Sequence, residues 1–166
     1  MNPLLINTPT ITIWDSETNI DKKSVMDAVN ALRSSHADIA YPYNGIVYQT
    51  SDILRRNYLN TKDIKVLYNN LYKLDFLYNQ PIYGGEVFVN KNKYIDAGME
   101  NERSYGWGNE YYDCYNRFTN LGYNVYRPDA PLFHLCHSRK ENSSFRSKTF
   151  QYISSNELFR ISNSSK

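Results

Sequence analysis

The chain has 166 residues, 41% of them hydrophobic and 22% charged, enough for one globular domain with its own core. Its 19 basic and 17 acidic residues are interspersed and leave a net charge of only +2, which excludes the basic surface of a nucleic-acid-binding protein. No apolar run approaches the ~18 residues of a membrane span, and the start of the chain lacks a signal-peptide pattern. The two cysteines, Cys114 and Cys136, have no CxxC spacing, so a reducing cytoplasm is expected, with peripheral attachment to a membrane as the alternative.

In chain order, Thr10–Trp14 alternates β-branched residues and predicts a strand that runs directly into Asp15-Ser16-Glu17. Val25, Ala28, Val29 and Leu32 then recur at helical spacing behind Asp21, a cap residue. A short strand at 37–40 follows, closed by the turn chemistry of Tyr41-Pro42-Tyr43-Asn44-Gly45. Ile64, Leu67, Tyr68, Leu71 and Leu74 predict an amphipathic surface helix. Gly84-Gly85 permits an unusual backbone turn before a strand at Glu86–Asn90, and Asn92 is the expected cap of a short helix ending near Gly98.

Asn109 is placed to cap a helix with Tyr111, Cys114, Tyr115, Phe118 and Leu121 on its buried face and Gly122 at its end. Short strands are expected at 124–127 and 132–136, then a polar stretch with one helix near 150–159. Four or five short strands alternating with helices predict an α/β sandwich, with a domain over 1–150 and a polar tail over 151–166.

Three clusters carry chemistry. Asp15 and Glu17 stand at the carboxyl end of a strand, where open α/β sheets bind ligands, and could hold a divalent cation or a ribose hydroxyl, unless they are turn and cap residues only. His134 and His137 would point to opposite faces of a straight strand, and share a metal only if that strand ends near Cys136. His134, Cys136 and a carboxylate would be the ligands of a structural zinc site. In Tyr105-Gly106-Trp107-Gly108-Asn109-Glu110, glycines flank an indole suited to the apolar face of a sugar. Glu110 lies in the first helical turn, where the dipole keeps a carboxylate ionised. The 16 tyrosines also suit sugars, each an apolar ring with a polar tip.

This order of clusters resembles GT-A-type glycosyltransferases, especially family two enzymes and the carboxyl-terminal region of β-1,4-galactosyltransferases. Those carry an Asp-x-Asp motif, a Trp-Gly-Trp-Gly-Gly-Glu-Asp segment, an Asn-Arg pair and a closing His-Ser-Arg. The matching residues are Asp15 and Glu17, Gly106 to Glu110, Asn116-Arg117, and His137-Ser138-Arg139. The resemblance spans 11–141 and is most specific over 83–139.

It implies an incomplete GT-A-like α/β fold, a short mixed sheet flanked by helices, that transfers a galactose-like hexosyl unit from a nucleotide diphosphate sugar to a glycan acceptor with inversion. Glu17, His134 and His137 would bind the metal, Mn2+ before Mg2+ because of the imidazoles. Asp15, Gly85, Trp107 and Arg139 would contact substrate, and Glu110 or Asp113 would act as base, because Tyr111 stands where the family places an aspartate. Only nine residues precede the Asp-x-Glu strand. A homo-oligomer or partner chain is therefore expected to cover the sheet edge left by absent nucleotide-binding units. The alternatives are a catalytically inactive sugar-binding fragment and a zinc-stabilised interaction domain.

Overall fold

The computed structural model describes residues 7–102, 109–137 and 147–163. Among them, eight strands form two four-stranded sheets, with six helices around them. One sheet contains β1 (Thr10–Trp14), β6 (Glu86–Asn90), β3 (Ile39–Ala40) and β7 (Val125–Tyr126), in that spatial order. β6 runs antiparallel to both β1 and β3, and β3 is parallel to β7, so β1, β3 and β7 all point the same way. The other sheet contains β2 (Thr18–Asn19), β8 (Leu132–His134), β4 (Val47–Gln49) and β5 (Asp75–Phe76). The fold is mixed α/β and partial GT-A-like, with more strands than the four or five expected.

β6 has little freedom of composition because helices cover both faces of its sheet. Phe88 packs into Ala28, Ala31 and Leu32 of α1 (Lys22–Arg33). Val87 and Val89 face the opposite side, with Tyr94 of α4 (Lys91–Asp96) and Cys114 and Phe118 of α5 (Asn109–Asn120). Asp21 caps α1 as its sequence predicts, accepting from Ser24 N–H at 2.9 Å and Ser24 Oγ at 2.6 Å. The cap of α4 is Asn90 rather than Asn92, because the side chain of Asn90 receives the N–H groups of Asn92 and Lys93 as the strand ends. On α5, Leu121 is exposed rather than buried, lying beyond the last helical residue.

The expected helix over the 64–74 stripe is broken. Only α3 (Lys65–Tyr68) is α-helical, followed by a 3-10 turn at Leu71–Lys73. Asn70 Nδ2 bonds Val66 O at 2.8 Å, the kind of side-chain bond that competes with helix continuation. The stripe still does its packing work: Leu67 and Leu74 are buried against Phe133 and Leu54, with Ile64, Tyr68 and Leu71 around them. Leu54 belongs to α2 (Asp52–Thr61).

The last helix, α6 (Lys148–Ser162), crosses the boundary expected at residue 150 and docks on α5. Asn116 Nδ2 donates to Ser162 Oγ at 2.8 Å, and Asn120 Nδ2 to Ile161 O at 3.0 Å.

Candidate functional site

The ends of the co-directional strands define one rim of the first sheet. β1 runs into Asp15, β3 into Tyr41 and β7 into Arg127, and the antiparallel β6 begins there at Glu86, just after Gly85. The Asp15-Ser16-Glu17 turn carries the chain from this rim into the second sheet. Asp15 N–H bonds Gly85 O at 2.9 Å, and the Asp15 carbonyl accepts Thr18 Oγ1–H at 2.7 Å. Thr18 then pairs with His134, and Leu135 N–H donates to Glu17 O at 2.7 Å. Glu17, in the turn that leads into β2, is thereby brought beside the end of β8, which holds His134, 117 positions away in sequence.

The histidine pair meets the condition its spacing sets. β8 stops at His134, the chain turns, and the His134 and His137 rings lie with centroids 5.3 Å apart. Gln49 Oε1 sits 2.9 Å from His134 Nδ1. An amide oxygen can only accept, so Nδ1 carries the proton and the lone pair is on Nε2, the arrangement of a metal-ligating imidazole. Cys136 is turned elsewhere, its thiol donating to Asp52 Oδ1 at 3.3 Å. Burial, and then that hydrogen bond, raise its pKa, which disfavours a thiolate ligand. Among the described residues, no three His, Cys, Asp or Glu side chains are gathered into a group that could hold an ion as they stand.

Asp15 has a partner that its motif does not announce. The Tyr111 hydroxyl donates to both carboxylate oxygens at 3.2 Å. The ring reaches it by lying on the backbone of Gly84, where a Cβ would come within 2.3 Å of ring Cδ2. Burial raises the pKa of Asp15; the Tyr111 hydrogen bond opposes this and the charge of Glu17 adds to it.

Glu86 heads β6 directly opposite Trp14 and is 1% exposed. Among the described residues neither carboxyl oxygen has a hydrogen-bond partner. Burial, then the charge of Asp15, pushes its pKa up to about 9, so it is protonated at neutral pH. Gly85 reaches its turn with φ +95°, a conformation glycine adopts without strain.

Behind this rim Arg127 is enclosed by aromatic faces. Its guanidinium carbon lies 4.3 Å from the Tyr41 ring centre, 4.4 Å from Tyr83 and 5.3 Å from Tyr43. Its Nη2 donates to Ile82 O at 3.0 Å, and the Tyr43 hydroxyl donates to Gly84 O. The segment holding Gly84-Gly85 is thus pinned from below.

Asp113, one of the expected bases, lies on the far side of α5 from Tyr111, since two residues turn a helix by about 200°. It is 1% exposed and its Oδ2 accepts from Arg117 Nε at 3.0 Å, which makes it part of the packing between helices. Trp107 and Arg139 lie outside the described residues, as does the side chain of Glu110. Of the groups described, Asp15, Glu17, Gly85, His134 and His137 belong to one rim and its seam, while Asp113 does not. Glu86, Tyr111, Gln49 and Arg127 escaped sequence reasoning. Only Tyr111 left a signal, by replacing an expected aspartate.

Residues 65–141 match the family model described as the N-terminal domain of galactosyltransferase, so this part of the chain is galactosyltransferase-like. The match includes Gly85, Tyr111, His134 and His137; Asp15 and Glu17 join it through the fold. No curated protein matches the chain. Among the described residues no helix is long and apolar enough to cross a membrane.

Proposed function

We propose that this domain handles the metal and sugar in transfer of a galactose-like hexosyl unit from a nucleotide diphosphate sugar to a glycan acceptor. The observation that carries the reading is the backbone bond from Leu135 N–H to Glu17 O, which sets the Asp-x-Glu turn beside the histidine pair. Glu17, His134 and His137 would hold Mn2+, with Mg2+ as the weaker fit, and Gln49 fixes the His134 tautomer. The bound ion would supply Lewis-acid stabilisation of the diphosphate leaving group. Asp15, Gly85, Trp107 and Arg139 would contact the substrate, with the indole of Trp107 suited to the apolar face of a sugar.

Inversion requires a base on the acceptor side, a task for Glu110 rather than Asp113, whose carboxylate is held by Arg117. A second subunit or partner chain pairing along β1, an edge strand of its sheet, belongs to the same reading.

The aspartate replaced by Tyr111 and the confinement of Asp113 favour one second reading, a sugar-binding domain without turnover. Incubation of the protein with UDP-galactose, Mn2+ and an oligosaccharide panel separates them. Galactosylated product, absent without metal, supports transfer. Metal-dependent binding without product supports the second reading, and the absence of both contradicts the two together.

A further inference from the structure

The Asp15–Tyr111 contact has a chemical consequence for ligand recognition at the rim. A phenol has one proton to donate and an oxygen that can also accept. Here the proton points at a carboxylate, with both Asp15 oxygens at 3.2 Å. The ring packs directly on Gly84, closer to its backbone than a Cβ would allow. Gly84 itself is held through its carbonyl by Tyr43. The hydroxyl is therefore fixed in place and in direction at the carboxyl ends of the co-directional strands, on a side chain that is only partly buried. Carbohydrate hydroxyls are donors as well as acceptors, and a hydroxyl whose own proton is already committed discriminates for the donor.

We propose that Tyr111 is a sugar-contacting residue, receiving a hydrogen bond from a hexose hydroxyl while Asp15 orients its phenol. This rests on the sugar-transfer reading and adds to it a role for the residue that replaces the family's aspartate. The sugar is either the hexosyl group of the nucleotide donor or the acceptor glycan; both present the same hydroxyl chemistry. Asp15 and Gly84 act through Tyr111 and are positioning residues for this contact.

The test is calorimetric titration of the full chain, with Mn2+, against UDP-galactose, UDP alone, and free hexoses and N-acetylhexosamines. Loss of one hydrogen bond in Tyr111→Phe is expected to weaken sugar binding roughly fivefold. UDP alone is expected to bind unchanged. If the loss is in UDP-galactose, the contact is to the donor; if in the free sugars, it is to the acceptor. Gly84→Ala, which keeps an allowed backbone but displaces the ring, is expected to weaken the same ligand. Combined with Tyr111→Phe it should add nothing further.

Matched thermal melts of the variants confirm folding. Wild-type protein that binds sugars with a Tyr111→Phe variant equal to it overturns this contact and leaves the transfer reading intact. Wild-type protein that binds neither UDP-galactose nor free sugar overturns both.

Discussion

Arg117 reaches back one helical turn to Asp113, Nε to Oδ2 at 3.0 Å, and gives its remaining nitrogens to the carbonyls of Ala97 and Met99. One half-buried arginine thereby ties α5 to the end of α4, using the buried aspartate that the family resemblance offers as a base. Removing one partner of a buried pair leaves the other uncompensated, which costs about 3 kcal/mol or more. Asp113→Ala is therefore expected to lower stability by that amount in urea denaturation. The folded variant should bind UDP-galactose with wild-type affinity. A large loss of affinity with little loss of stability would return Asp113 to the site.

Glu86 makes stability fall with rising pH. Its folded-state pKa, about 9, lies above the ordinary 4.5, so between these values the folded protein holds a proton that the unfolded chain releases. The proton count of the folded state is then the higher one, and the free energy of unfolding declines across the window. Between pH 4.5 and 7 the decline attributable to this group is on the order of 3 kcal/mol. Glu86→Gln, neutral throughout, should flatten that slope and be the more stable protein at pH 8. Parallel slopes for the two proteins would show that Glu86 ionises normally.

The long-range half of this site was invisible in the sequence for a physical reason. Thr10–Trp14 and Glu86–Asn90 are legible as strands because alternation and continuous apolarity report their burial. The Asp15 turn and the histidine spacing are legible as donors. Which donors meet is decided by strand register, and the bond between Asp15 and Tyr111 spans 96 positions. Glu86 at the head of a strand reads as an exposed charge until the fold buries it.

Helix α2 went unread although Ser51 caps it, because its apolar pattern is thin. Leu54 is buried while Ile53 is 79% exposed. The 64–74 stripe shows the converse: the apolar periodicity was right about burial and wrong about continuous helix, since Asn70 bonds the backbone locally.

Gly45 is a turn position that accepts a side chain poorly. Its φ is +97°, and an added Cβ would lie 2.8 Å from both Arg127 Nη1 and Pro81 Cβ. Gly45→Ala should cost about 2 kcal/mol from backbone strain alone. Because Ile82 N–H bonds Gly45 O at 3.0 Å, the segment leading to Gly84-Gly85 should loosen with it. Hydrogen exchange at Ile82 is the measurement, faster than in wild type; unchanged exchange would contradict the coupling.

Gln49 orders His134 through Nδ1 at 2.9 Å without being a ligand itself. Support of this kind typically contributes tenfold or more to metal affinity. Gln49→Leu is expected to weaken Mn2+ binding about tenfold while leaving β4 paired with β8. Unaltered affinity would place the metal away from His134.

The central claim is that Glu17 and the two histidines act together on a metal that the sugar nucleotide requires. It is tested most directly by titrating UDP-galactose into wild-type protein with and without Mn2+, and repeating this with Glu17→Ala and His137→Ala. The account predicts binding in wild type only when Mn2+ is present, and its loss in both variants at unchanged thermal stability. Equal binding with and without Mn2+, or full metal-dependent binding by Glu17→Ala, would contradict it.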